Sequence, residues 1–460
     1  MGKNGKVAWK RSMVMISSIA LVMTGCTSSK DATKTDGTSG EVVTINQFVT
    51  DTPDKVYVEK LVPDFEASHP NIKVKITKAP YAEFDSKLQS MIAAGTAPDV
   101  TSHFGQAGFI EFLDKGMLRD MTDLMAADQF KASDYGMPDN MLDTYKSGGK
   151  NYGIPVYSYV SLMLYNKDMF DKAGIPYPPA DYEDKSWTFD KMVEIGKKLS
   201  KPNTDIQKAE YGLDWGWAEK DMRLIYFGPK IYSDDTWTNG GHPTASYFNT
   251  PEVIKANNRV NDLIWKDKVM PDNQFKKAVA GDGGDPFATG KIGMSVAGAW
   301  ILASVKEYSF KVGVAAVPIG YNNKARDVLY IDPLLILKDS KHPKEAYEWI
   351  KYQLNKSVQE KAIELSGGTP PSNQQAAEKY FNLFAPAIDP KDLKKVVDGG
   401  LKYGIESYNH LIANYTEILN IVNNEMDPLD NGKKTVEDVS PEIDKKVNAL
   451  LNEINAKYKK

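Results

Sequence analysis

Five histidines, His69, His103, His242, His342 and His410, are spread along the 460-residue chain with no two at a spacing that builds a local metal motif. The one cysteine, Cys26, stands near the start, so the rest of the chain has no disulfide framework, thiolate metal site or thiol nucleophile. Asp282-Gly283-Gly284-Asp285 and the stretch from Asp427 to Gly432 are acidic and glycine-bearing, but neither has the alternating acids of a calcium loop. Both read as solvated turns. No phosphate-cradling glycine loop occurs. What remains available is aromatic and hydrogen-bonding chemistry. Trp215 and Trp217 flank Gly216, and Tyr157 and Tyr159 flank Ser158. An extended chain puts each pair on one face, where it could be a binding platform or core filling.

The elements that must position these residues begin after residue 40. Val42 to Phe48 reads as a strand, followed by Thr52-Pro53 as a helix start. Tyr57, Leu61 and Phe65 share one helical face, with Pro63 expected to kink it. Ile72, Val74 and Ile76 alternate as a strand, and Phe84, Leu88, Met91 and Ile92 mark a helix closed by Gly95. A short strand at Asp99-Val100 and a helix through Phe109, Ile110 and Leu113 follow. This β-α-β-α-β order predicts an α/β fold with a mostly parallel sheet flanked by helices. In such sheets the ligand crevice lies beyond the carboxyl ends of the strands, which selects the loops after Phe48 and Val100. The same grammar returns after Tyr152, and a long amphipathic helix from Val436 to Ile454 ends the chain.

The N-terminus indicates export. Lys3, Lys6, Lys10 and Arg11 precede the apolar stretch Met13 to Gly25, which suits a signal peptide over residues 1–25. Met23-Thr24-Gly25-Cys26 resembles a bacterial lipobox, in which the thiol receives a palmitate-bearing lipid and anchors the chain to the cell membrane. Met23 departs from the usual Leu. Residues 26–40 are small and polar and read as a flexible tether. Cleavage would remove four positive charges and no negative one, moving the formal net charge from −4 to −8. That balance argues against a nucleic-acid partner.

Four blocks, in order along the chain, carry a family resemblance. They are Ala97-Pro98-Asp99-Val100; Tyr152 to Val156 with Leu164 to Asp168 and Ala173-Gly174-Ile175; Phe287, Gly290-Lys291, Gly293-Met294 and Gly298-Ala299-Trp300; and Val312-Gly313-Val314 with Pro318, resuming at Pro343 to Tyr347 and running through Trp349-Ile350 to Gly367-Gly368-Thr369-Pro370. The chain resembles the maltose-binding-like solute-binding proteins (solute-binding family 1) that serve carbohydrate ABC importers. The resemblance implies a two-lobed, periplasmic-binding-protein-like fold with a hinged cleft. Lobe 1 would hold residues 41–156 and 312–354, and lobe 2 residues 157–311 and 355–460. It also implies a monomer without cofactor or catalysis, delivering a sugar or oligosaccharide to permease subunits from the outer face of the membrane.

A sugar needs aromatic planes for its C–H faces and carboxylates or amides for its hydroxyls. Trp300 resembles the stacking aromatic common in the family. Tyr157 and Tyr159 fall at the implied crossover, and Trp215 and Trp217 in the second lobe. His103 and Gln106 follow the Asp99-Val100 strand, with Gln106 the better hydroxyl partner. Tyr330 and Asp332 end a strand, where Asp332 could accept from a hydroxyl or belong to a solvated turn before Pro333. Asn46 lies near the end of the first strand. The alternatives are a secreted glycoside-active enzyme, for which no carboxylate pair is singled out among 61 acids, and a receptor for a peptide or other non-sugar solute.

Overall fold

The structure is a computed structural model that describes residues 41–458 apart from 53, 54, 56, 104, 106, 216–218, 282 and 322–325. Cys26, Gln106 and Trp217 therefore lie outside the described residues. The chain opens as β1 (Val43–Thr50), α1 (Tyr57–Ser68), β2 (Ile72–Ala79), α2 (Phe84–Ala93), β3 (Val100–Thr101) and α3 (Phe109–Asp114). β1 pairs in parallel with β2 on one side and β3 on the other, Val43 opposite Ile72 and Gln47 opposite Val100. α1 continues through Pro63 with Tyr57, Leu61 and Phe65 all buried. An internal proline costs about 3 kcal/mol. Burying three large side chains, at roughly 1.5–3 kcal/mol each, outweighs it.

A small hairpin, β4 (Lys146–Ser147) and β5 (Lys150–Asn151), leads into the long strand β6 (Gly153–Asn166), whose residues are buried throughout. Downstream come β7 (Met294–Gly298), β8 (Val312–Ala315), β9 (Asp327–Ile336) and β10 (Gly404–Glu406). The first half of β6 pairs antiparallel with β9, from Gly153 opposite Leu335 to Val160 opposite Leu329. Its second half lies between β7 and β8, with Ser161 opposite Gly298 and Asn166 opposite Val312. One strand thus serves two sheets, and the changeover falls between Val160 and Ser161. β9 joins the first sheet to β3 and pairs with β10 at its start.

The sheet is mixed, not mostly parallel. Parallel pairing is found for β1 with β2 and β3 and for β9 with β10, whereas β6 pairs antiparallel with every neighbour. Hydrophobic periodicity shows where strands lie but not which way their partners run. Two observations bear on the lobe boundaries. β8, which begins at Val312, sits in the second sheet across β6 from β7, whereas the resemblance implies a return to the first lobe there. The helix Lys356–Ser366 packs on α1, whereas the resemblance implies that stretch for the second lobe.

At the C-terminus the helices Tyr415–Asp430 and Val436–Tyr458 pack together, burying Val436, Val439, Ile443 and Val447 as their spacing predicts. Asp427 and Asp430 belong to the first of these helices, and Asp430 pairs with Lys220 at 2.6 Å, so the acidic stretch closes a helix. Among the described residues no helix is long and apolar enough to cross a membrane.

Candidate functional site

A cavity of about 390 Å³ sits beyond the carboxyl ends of the first three strands. Thr50 ends β1 and Thr52 and Lys55 follow it, Tyr81 follows β2, and His103 and Gly105 follow β3. The remaining walls come from Tyr159 of β6, Tyr330 and Asp332 of β9, Trp300 just after β7, Glu219, and Asn409 with His410. Elements of both sheets therefore converge on one space, as the strand-end rule requires.

Each side chain has a local reason for its place. Tyr159 stands opposite Tyr330 across the β6–β9 ladder, and Tyr157 opposite Asp332. Lys55 Nζ donates to Tyr159 Oη at 3.2 Å, lies 4.1 Å from the centre of the Tyr157 ring, and reaches Asp332 at 4.0 Å. Trp300 is 41% exposed and meets Tyr159 and Tyr330 edge-on, at ring-centre distances of 5.8 and 5.2 Å. Its indole lies against Gly298, where a Cβ would come within 2.1 Å of the ring. Asn409 and His410 are carried by the short helix Tyr408–Leu411, seated on Gly108, where a Cβ would come within 1.6 Å of the Asn409 carbonyl oxygen.

Titratable groups from distant segments meet at this cavity. His103 and His410 stack with ring centres 3.9 Å apart. Burial, reinforced by the neighbouring His410, holds the His103 imidazole well below its ordinary range. Burial also opposes charge on His410, but its hydrogen bond to Glu406 and the fields of Glu406, Asp332 and Glu219 prevail and raise it. Burial raises Glu219, which accepts a hydrogen bond from Tyr330 Oη at 3.4 Å. The cavity thus offers hydrogen-bonding groups of both polarities beside an exposed indole.

Sequence spacing excluded a local histidine motif, yet the fold joins His103 to His410 from distant parts of the chain. With Asp332 they offer ligand atoms that all lie within 4.8 Å of one another. The two rings are nearly parallel, 22° between planes. Their in-plane lone pairs therefore run side by side instead of converging on an ion, and His410 Nδ1 is engaged by Glu406. The arrangement suits a hydrogen-bonding floor better than a metal centre.

Of the residues selected from sequence, Tyr159, Trp300 and Asp332 meet in this cavity. Asp332 is no solvated turn, since β9 continues through Pro333 to Ile336. Tyr157 is buried behind the cavity, hydrogen-bonded to Tyr57. Trp215 is also buried, packed among Phe189, Tyr226 and Phe227, and is not among the cavity residues. Asn46 lies within β1, where its side chain accepts from Thr77 at 2.8 Å and its backbone exchanges hydrogen bonds with Asp99, away from the cavity lining. Lys55 lies in the loop after β1, which the strand-end rule selects, whereas Tyr81 lies in the loop after β2, which the sequence reading passes over. Glu219, Asn409 and His410 arrive from far along the chain and carry no local signal.

Residues 50–360 match the family described as bacterial extracellular solute-binding protein. The chain belongs to that family. This solute-binding protein is 26% identical to a binding protein of Brucella abortus over 335 residues, covering 71% of this chain and 75% of that one. It is 25% identical to the multiple sugar-binding protein of Streptococcus mutans over 374 residues, covering 78% of this chain and 82% of the relative. Among solved structures, an ABC substrate-binding protein from Listeria monocytogenes in complex with cycloalternan superposes with a TM-score of 0.75 at 23% identity, covering 90% of this chain and 100% of that one. The fold of this solute-binding protein is accordingly the two-lobed α/β one, with β6 shared between its sheets.

Proposed function

We propose that this protein captures a sugar or oligosaccharide between its lobes and delivers it, unaltered, to the permease subunits of an ABC transporter. The observation that carries the reading is Trp300, an exposed indole set edge-on to Tyr159 and Tyr330 in a cavity lined by hydrogen-bonding groups. An aromatic plane together with donors and acceptors suits the apolar C–H patches and the hydroxyls of a pyranose. The sugar-binding relative and the cycloalternan complex support the same class. Tyr159, Trp300 and Asp332 are the ligand contacts we retain, joined by Lys55, Tyr81, Glu219, Asn409 and His410.

The lobes divide where β6 changes sheets. The first holds β1 to β3, the opening half of β6, β9, β10 and the helix Lys356–Ser366; the second holds the closing half of β6 with β7 and β8. Closure of one on the other is the signal a permease would read. Lipid on Cys26 would keep the protein as a monomer on the outer face of the membrane, with residues 26–40 as its tether. Lys55, Asp332 and Glu219 also give the cavity charges of both signs, which a peptide's termini would need. Lys55 is directed to Tyr159 and Asp332, which favours the sugar. A panel of saccharides and short peptides, followed by calorimetry, tests the choice. Binding confined to peptides would overturn the substrate class.

A further inference from the structure

Another cavity, of about 310 Å³, lies where segment 219–227 meets the helices Pro251–Trp265, Asn273–Ala280 and Tyr415–Asp430. Lys220 and Arg223 enter from the segment, Asn273 and Lys276 from the second of these helices, and Asn423 and Asp430 from the third. Ile264, Met270 and Leu419 supply apolar walls, against which charges act more strongly than in open water. The volume lies within the roughly 300–1,000 Å³ range of a small-molecule site. Glu219 borders both this space and the one around Trp300, so the two are neighbours.

Arg223 is the group that the fold leaves without a counter-charge. Its Nε is buried with no hydrogen-bond partner, and among the described residues its guanidinium forms no ion pair. Burial pulls it below its ordinary range, while Asp430, Asp214 and Asp221 act at a distance in the opposite sense. Each of those carboxylates already serves other donors. Asp430 pairs with Lys220 at 2.6 Å, and Asp214 with Lys276 at 2.5 Å. Asp221 accepts from Tyr232 at 2.8 Å and from Tyr415 at 2.7 Å. Glu219 accepts from Tyr330 on the side of the Trp300 cavity. A guanidinium stays protonated in a protein, so withdrawing it from water without a partner is costly. Its planar fork suits an anion that presents two oxygens. Lys220 and Lys276 keep ammonium donors beyond those their carboxylates use, and the amides of Asn273 and Asn423 line the same space.

We propose that this cavity is an oxyanion site, in which Arg223, flanked by Lys220 and Lys276, holds a carboxylate or a phosphate. The site is separate from the capture of a neutral sugar. Such a group has two sources, a free ion or the acidic unit of a saccharide that reaches past Glu219.

Thermal unfolding of the detergent-purified full chain tests the proposal and separates the sources, with sodium chloride at equal ionic strength as the reference. The probes are inorganic phosphate and acetate, then oligosaccharides of glucuronic, galacturonic and mannuronic acids beside their neutral counterparts. Saturable stabilisation by phosphate or acetate assigns the site to a free ion. Stabilisation by the acidic oligosaccharides, and by neither small ion, assigns it to the ligand. In either case R223Q should weaken the apparent affinity by about tenfold or more, the scale of one charge-assisted hydrogen bond. R223K keeps the charge and loses the fork, so it should fall between the two; it carries the test should R223Q not fold. A response no greater than that to chloride, or one kept in full by both variants, would overturn the oxyanion site and leave sugar capture standing.

Discussion

The indole of Trp300 rests on the backbone of Gly298, two residues before it, in a space that a single methyl group would fill. The glycine is there for that contact: its φ of −72° is open to any residue, so the reason is room and not backbone freedom. G298A should push the indole from its place beside Tyr159 and Tyr330. We expect ligand affinity to fall by about tenfold, with a change in intrinsic fluorescence and little loss of stability. W300A should cost about 10- to 100-fold, the worth of covering one aromatic face. Titration of both variants with the same saccharide checks the order.

Lys55 is nearly buried and is held by Tyr159, Tyr157 and Asp332 together. Y159F removes one hydrogen bond and keeps the ring, so affinity should fall by only about fivefold, near 1 kcal/mol. K55M removes the cation beside Asp332 and should cost more. A double-mutant cycle should show coupling between the two positions, because they touch.

How far the sequence could be read depends on where each signal resides. Tyr57, Leu61 and Phe65 share a helical face because periodicity is local, and α1 forms there. The strand-end rule located the loops after β1 and β3 for the same reason. Tyr157 and Tyr159 do share a face, but only the packing of Tyr57 against Tyr157 decides that one is buried and the other lines the cavity. Trp215 reads equally as platform or core from its spacing, and the fold brings Phe189 and Tyr226 against it in the interior. His410 reaches His103 through the seat of its helix on Gly108, a contact that no spacing rule expresses.

A pH dependence follows from a contact outside the cavity. His242 Nε2 lies 2.8 Å from Asp114 Oδ2, and that hydrogen bond, despite burial, raises His242 above its usual 6.5. A raised folded-state value means that protonated His242 stabilises the fold. The contribution is complete below about pH 6.5 and disappears as pH rises through the folded-state value. H242Q should therefore lose about 1 kcal/mol at pH 5.5, the upper range for exposed pairs, and much less at pH 9. Urea unfolding at both values checks the sign.

Cys26 should control where the protein resides. C26S should leave the folded lobes and their affinity unchanged but shift the protein from the membrane fraction to the soluble one. Fractionation of cells expressing either form decides it. A C26S protein still in the membrane fraction would contradict lipid anchoring at this thiol.

The central claim is that the cavity around Trp300 holds a sugar and releases it intact. Thermal unfolding of the purified protein against a saccharide panel, with reducing-sugar release followed on every hit, tests this most directly. A sugar that binds only the folded state should add roughly 2.7 kcal/mol at about 100 times its Kd, with no release of reducing ends. Release of reducing ends, or stabilisation by peptides and by none of the sugars, would contradict the account.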